Sequence, residues 1–219
     1  MDFAGARKWM VDGQLRPNKV TDPRILNSMS DLPRHLFVPP TMVARAHADE
    51  DVPLGHGRVM LQPMMLARLL QLAKVRAGEA VLVLAAGTAY GAALVSRMGG
   101  RVTAIEAEAD LLALGREALS GLSLTPGTLD YLQGSPAAGH AEKAPYDLIV
   151  IEGAVQSIPK EIVGQLAEGG RLATIRLLPG RSGVAVLGQR LGGSFSITEA
   201  FDCNTVLLPG FAPEPGFAL

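Results

Sequence analysis

The chain has one cysteine, one tryptophan and 5% aromatic residues, and its formal charge is −1. A lone thiol, Cys203, cannot close an internal disulfide; a small core filler in a reducing compartment is the expected role. The 20 basic and 21 acidic residues are mixed along the chain, leaving no basic stripe for nucleic acid or an anionic membrane. No uncharged stretch of about 18 residues is apolar enough to span a bilayer. The opening MDFAGARKWMVDGQLR carries Asp2, Arg7, Lys8 and Asp12 instead of a signal core, so a cytoplasmic protein is expected. His35, His47, His56 and His140 are scattered without metal-ligand spacing, and no structural zinc is expected. Internal repeats and low-complexity tracts are also missing.

What is present is a chain of 219 residues, 48% hydrophobic, able to bury a sizeable core. Its most informative stretch is VLVLAAGTAYGAALVSRMGGRVTAIE, from Val81 to Glu106. Four consecutive apolar residues, Val81 to Leu84, are too few for an ordinary helix and suit a parallel strand buried on both faces. Ala85, Ala86, Gly87, Thr88 and Ala89 form a turn of small residues, after which apolar residues resume at helical spacing from Tyr90. Glu106 closes the next strand 19 positions after Gly87, about where a doubly wound fold places an acid on a ribose. A nucleotide-cofactor half-site and an ordinary βαβ unit with a tight connection both satisfy this pattern.

Residues 1–76 read as helices and loops, with a helix over 3–11, another capped at Thr21 or Asp22 with Pro23 first, loop over 49–63, and a helix over 64–72. From residue 77 strands (80–84, 101–105, 128–133, 146–151, 171–175) alternate with helices (90–98, 110–119, 159–167). This implies a mostly parallel sheet flanked by helices. Residues 184–190 and 195–202 around a Gly192-Gly193 turn predict a C-terminal antiparallel hairpin. The fold class is therefore α/β, Rossmann-like, with an N-terminal helical segment (1–76) ahead of a core domain (77–219).

Four segments in order resemble the protein-L-isoaspartate O-methyltransferase family. Leu32 to Pro39 (LPRHLFVP) is similar to its V-P-R-x-x-F-V-P segment, and Asp49 to Pro63 (DEDVPLGHGRVMLQP) to its D-x-x-L-P-I-G-x-G-Q-T-I-S-x-P loop. VLVLAAGTAYGAAL and APYDLIVIEGAVQSIP are similar to its core strands, so that the likeness runs over about positions 20 to 178. The resemblance implies an S-adenosylmethionine-dependent methyltransferase of the Rossmann-like fold, acting on a transient protein or peptide substrate. Carboxyl methylation of isoaspartyl residues for protein repair is the implied reaction, and its acceptor is already ionised at neutral pH, so no general base is required. Cofactor contacts are then expected from Ala85, Ala86, Gly87, Thr88, Ala89, Tyr90, Glu106, Gly134, Ser135 and Glu152. His56, Arg58, Leu61 and Gln62 are the substrate-loop candidates, with no metal.

The departures are specific. Leu61 stands where the family has Ser, and Arg58 and Val59 replace its Gln and Thr. The hydroxyl that would hold the isoaspartyl carboxylate is missing, a loss of about 1.5–3 kcal/mol for a hydrogen bond to a charged group. Val83 replaces an acidic residue in the first core strand, Ala85 and Ala89 replace turn glycines, and the family's G-D-G becomes Gly134-Ser135-Pro136. Two readings stay open at this stage: a methyltransferase with an altered substrate loop, and a binding module that keeps the fold with the cofactor site weakened or lost.

Overall fold

The computed structural model describes residues 2–122 and 128–211. Its N-terminal part begins with α1 (Phe3–Met10), capped by the Asp2 carboxylate, which accepts from the Gly5 amide at 2.9 Å. In α2 (Pro23–Asp31) Asp22 is the cap and Pro23 the first residue, and Ile25, Leu26 and Met29 form the buried face. Pro suits that position because its missing N–H has no partner in the first turn anyway.

The expected loop over 49–63 is instead a small antiparallel hairpin of β1 (Val52–Gly55) and β2 (Arg58–Met60). Gly55, His56 and Gly57 all take positive φ at its tip. The sequence reads as loop because the glycines and proline dominate it. Each strand nevertheless alternates, Val52 and Leu54 facing in on one and Arg58 and Met60 on the other. After it, α3 (Pro63–Ala73) buries Leu66, Leu69 and Leu70.

The second part runs β3 (Ala80–Leu84), α4 (Tyr90–Arg97), β4 (Arg101–Glu106), α5 (Ala109–Ser120), β5 (Leu129–Gln133), β6 (Tyr146–Val155), α6 (Lys160–Gly164), β7 (Leu166–Arg176), β8 (Val184–Leu191) and β9 (Ser194–Asp202). These strands make one sheet in the order β5-β4-β3-β6-β7-β8-β9. The pairs from β5 to β7 are parallel, and β8 and β9 add the antiparallel hairpin at one edge. The order reverses at β3, which has β4 on one side and β6 on the other; the crevice beyond the carboxyl ends of these three strands is where such sheets place ligands.

One expected helix is shorter than its sequence suggests. Residues 159–167 were expected to be helical, yet α6 ends at Gly164 because Gln165 is claimed by other elements. Its carbonyl accepts from the Tyr146 amide at 2.8 Å, and its side chain bonds His140 N and Ala138 O. Leu166 then pairs with Tyr146 as a strand residue.

Met10, Leu15, Ile25, Met29 and Phe37 pack into the same apolar core as Val81, Val83 and Tyr90. Cys203 is buried in it, and burial raises its thiol pKa to about 12, as suits a filler. Among the described residues no helix is long and apolar enough to cross a membrane.

Candidate functional site

The turn from β3 into α4 is held in an uncommon backbone conformation. Ala85 (φ 55°), Gly87 (φ 56°) and Ala89 (φ 68°) all lie in the left-handed region. Gly87 adopts it without penalty, whereas each alanine meets roughly 1–2 kcal/mol of steric cost. The turn is fixed from outside. The Thr88 hydroxyl donates to the Phe37 carbonyl, the Tyr131 hydroxyl donates to the Gly87 carbonyl, and Ala86 N donates to Ile105 O at 3.0 Å. Ala85, Ala86, Thr88, Ala89 and Tyr90 are all buried.

Glu106 ends β4 beside this turn with none of its surface exposed. Its carboxylate accepts from the amides of Gly87 (2.6 Å), Ala107 (2.9 Å) and Glu108 (3.1 Å). The residue therefore braces the turn and holds the two residues that lead into α5 at once. It is also the base of an ion pair: Arg58 Nη1 reaches its two oxygens at 2.8 and 3.0 Å, and Arg58 Nη2 donates to the Ala85 carbonyl at 2.6 Å. Arg58 comes from β2, and its side chain is 5% exposed.

A second residue of the hairpin closes the other side. A Cβ on Gly87 would lie 3.0 Å from Leu54 Cδ1, so Leu54 covers the face of the turn that a ligand would approach. Between hairpin and turn there remains a cavity of about 10 Å³, bordered by Leu54, Met60, Gly87, Tyr90 and Glu152. That is the room of about one water molecule.

Glu152 stands where β6 slips register against β7, between Val150 and Ala154. Such an irregularity re-aims a side chain, and here it brings the carboxyl to the crevice wall. The residue as a whole is half-buried, while Oε1 is shielded from solvent and has no hydrogen-bond partner among the described residues. Burial pushes its pKa up to about 8. The charge of Glu106 adds to the rise, and Arg58 and Arg34 oppose it. Arg34 is fully buried, donates to Ala46 O (2.6 Å) and Leu61 O (2.7 Å), and lies 4.9 Å above the Tyr90 ring centre. Burial lowers its pKa from the ordinary arginine value and raises that of Tyr90.

The remaining expected residues divide. Leu61 is 3% exposed and belongs to the core, and Gln62 is the residue that precedes α3 at its N-cap, its amide donating to Asp51 Oδ1 at 2.8 Å. His56 is exposed at the hairpin tip; its Nε2 lies 2.8 Å from Asp110 Oδ2 and its Nδ1 3.5 Å from Glu108 Oε2. With a carboxylate facing each ring nitrogen, the hydrogen bond to Asp110 first and its charge next raise the His56 pKa. The scattered histidines of the sequence thus include one that meets two acids in space. Gly134 extends the β5–β4 ladder, its amide donating to Glu106 O at 2.9 Å, and Ser135 is exposed in the turn that follows. Sequence reasoning missed Arg34, Leu54 and Tyr131; Arg34 and Leu54 lay within quoted motifs, whereas nothing local marked Tyr131.

The profile of the Protein-L-isoaspartate(D-aspartate) O-methyltransferase (PCMT) family matches residues 7–206. A Protein-L-isoaspartate O-methyltransferase of Koribacter versatilis (strain Ellin345) is 35% identical over 208 residues, 95% of this chain and 92% of the relative. Protein-L-isoaspartate O-methyltransferase 2 of Shewanella sediminis (strain HAW-EB3) is 33% identical over 217 residues, 99% of this chain and 86% of the relative. In fold the chain is similar to a beta-aspartate methyltransferase (PCMT) from Plasmodium falciparum solved in complex with S-adenosyl-L-homocysteine. The TM-score is 0.78 at 19% identity, covering 92% of this chain and 97% of the other. The profile match and the two sequence relatives establish that this chain belongs to the protein-L-isoaspartate O-methyltransferase family.

Proposed function

We propose that this chain is an S-adenosylmethionine-dependent methyltransferase that methylates the carboxyl group of isoaspartyl residues in proteins or peptides. The observation that carries the reading is Glu106, a fully buried acid at the carboxyl end of β4 whose oxygens gather the amides of the Gly87 turn. It is the residue expected to hold an adenosyl ribose in such a sheet, and family membership supports the same reaction. A cytoplasmic setting and transient protein partners go with it.

The acceptor side is compatible with the reaction without further catalytic groups. A carboxylate is ionised at neutral pH and needs no base to remove a proton, so alignment and exclusion of water suffice. Residues 1–76 would supply that side, through the β1–β2 hairpin and the segment ending at Gln62. Leu61 offers the acceptor no hydroxyl.

The adenosyl group does not fit the crevice as it stands. Arg58 occupies both oxygens of Glu106, Leu54 covers Gly87, and the cavity left is about 10 Å³. Incubating the protein with methyl-labelled S-adenosylmethionine and an isoaspartyl peptide, beside the same peptide with a normal aspartyl residue, tests the reading. Label is expected in the isoaspartyl peptide alone. Equal incorporation into both, or none into either at millimolar cofactor, refutes it.

A further inference from the structure

We propose that the β1–β2 hairpin is a lid in its closed position, with Arg58 as an internal competitor that must leave Glu106 before an adenosyl ligand enters. The inference rests on the cofactor reading above and adds a conformational step to it.

The hairpin is built to move as a unit between two fixed ends. It pairs with no strand of the main sheet. At its start Asp51 accepts from Gln62 N (2.8 Å) and from the Thr205 hydroxyl (2.6 Å), and at its end Arg34 holds the Leu61 carbonyl (2.7 Å). Between these anchors the hairpin meets the crevice through side chains: Leu54 over Gly87, Arg58 on Glu106 and Ala85, and His56 against Asp110 and Glu108. Val52, Leu54 and Met60 belong to the apolar core, so the contacts of Arg58 and His56 are the ones that water or ligand can replace, and no ladder to the main sheet is broken.

The closed state is balanced finely enough to open. Breaking a buried ion pair is normally expensive because it strands an uncompensated charge. Glu106 escapes this, since three backbone amides remain on its oxygens when Arg58 departs. Arg58 gains hydration on leaving, and its Nε is buried without an acceptor while the lid is shut. Ribose hydroxyls would take over as donors to the same carboxylate. Each closed molecule then lowers apparent ligand affinity in proportion to the fraction that is open.

A lid differs measurably from a permanent bolt. S-adenosylhomocysteine is titrated calorimetrically into the wild-type protein, Arg58→Gln and Arg58→Met, each first checked for folding by thermal unfolding. Hydrogen exchange over residues 52–62 is followed in the wild type with and without the same ligand. Both variants are expected to bind at least tenfold more tightly than wild type, and ligand is expected to speed exchange in the wild-type hairpin. Equal or weaker binding by both variants overturns the lid while leaving the cofactor reading intact, as does unchanged exchange in the ligand-bound wild type. Folded protein that binds no ligand in any of the three forms overturns both. The exchange measurement needs no substitution, so a variant that fails to fold does not rescue the proposal.

Discussion

The carboxyl group of Glu152 fills the space directly over Gly91, so that any side chain at position 91 would have to displace it. Gly91 lies in the first turn of α4 with no special backbone conformation, and in a helix alanine is favoured over glycine by up to about 1 kcal/mol. The constraint on position 91 thus comes from the Glu152 carboxyl and not from its own φ. Gly91→Ala alone is expected to destabilise the fold by about 1–3 kcal/mol through overpacking. In an Glu152→Gly background the same change is expected to be neutral or stabilising. A thermodynamic cycle of the four proteins by urea denaturation measures the coupling, and additive effects would show that the two positions are independent.

Glu152 also predicts a pH dependence. Its folded-state pKa is raised from the ordinary carboxyl range to about 8, chiefly by burial, so the folded state holds this proton more tightly than the unfolded chain. The stabilising contribution is full below the unfolded value and is lost as pH rises through the folded one. Glu152→Gln, which stays neutral throughout, should match the wild type in Tm near pH 4.5 and gain on it progressively up to pH 8. A Tm difference that is flat across this range would contradict the burial of the carboxyl.

The two alanines of the Gly87 turn predict a gain from glycine. Ala85 and Ala89 have φ of 55° and 68°, where a Cβ is strained and glycine is not. Ala85→Gly and Ala89→Gly should each stabilise by about 1 kcal/mol after the greater freedom of glycine in the unfolded chain is allowed for. In a chain of this size that is roughly 2–4 °C in Tm. Calorimetry decides it, and a fall in Tm for both would mean that packing of the methyl groups outweighs the backbone strain.

His56 should make the hairpin sensitive to pH. The groups facing it are Asp110, Glu108 and, further off, Glu106, and together they raise its pKa above the ordinary 6.5. The clasp is therefore fully present below the unfolded value and is lost as pH rises through the raised one. If the hairpin is a lid, S-adenosylhomocysteine should bind more tightly as pH rises through that window. His56→Asn, which tolerates the positive φ at this position, should remove the dependence. Titrations at several pH values in both proteins check this, and persistence of the slope in the variant would assign it to another group.

The sequence alone was enough for much of what depends on neighbours along the chain, although the local β1–β2 hairpin reads as loop and α6 stops short of its expected end. Alternating apolar runs and turn residues specified β3, the small-residue turn, α4 and the C-terminal hairpin. The spacing from Gly87 to Glu106 marked both residues, and in the fold a 2.6 Å hydrogen bond joins them. Such features follow from strand and helix periodicity, which a linear reading can count. Tertiary packing decided the rest. Arg58 reaches Glu106 across 48 positions and His56 reaches Asp110 across 54, distances over which no periodicity carries information. Glu152 could be read as a strand-end carboxylate, but its enclosure depends on α4 and the hairpin arriving from elsewhere. The pattern located the crevice, while whether it stands open or shut is set by side chains that only the folded chain brings together, because burial and charge pairing are properties of three-dimensional neighbours.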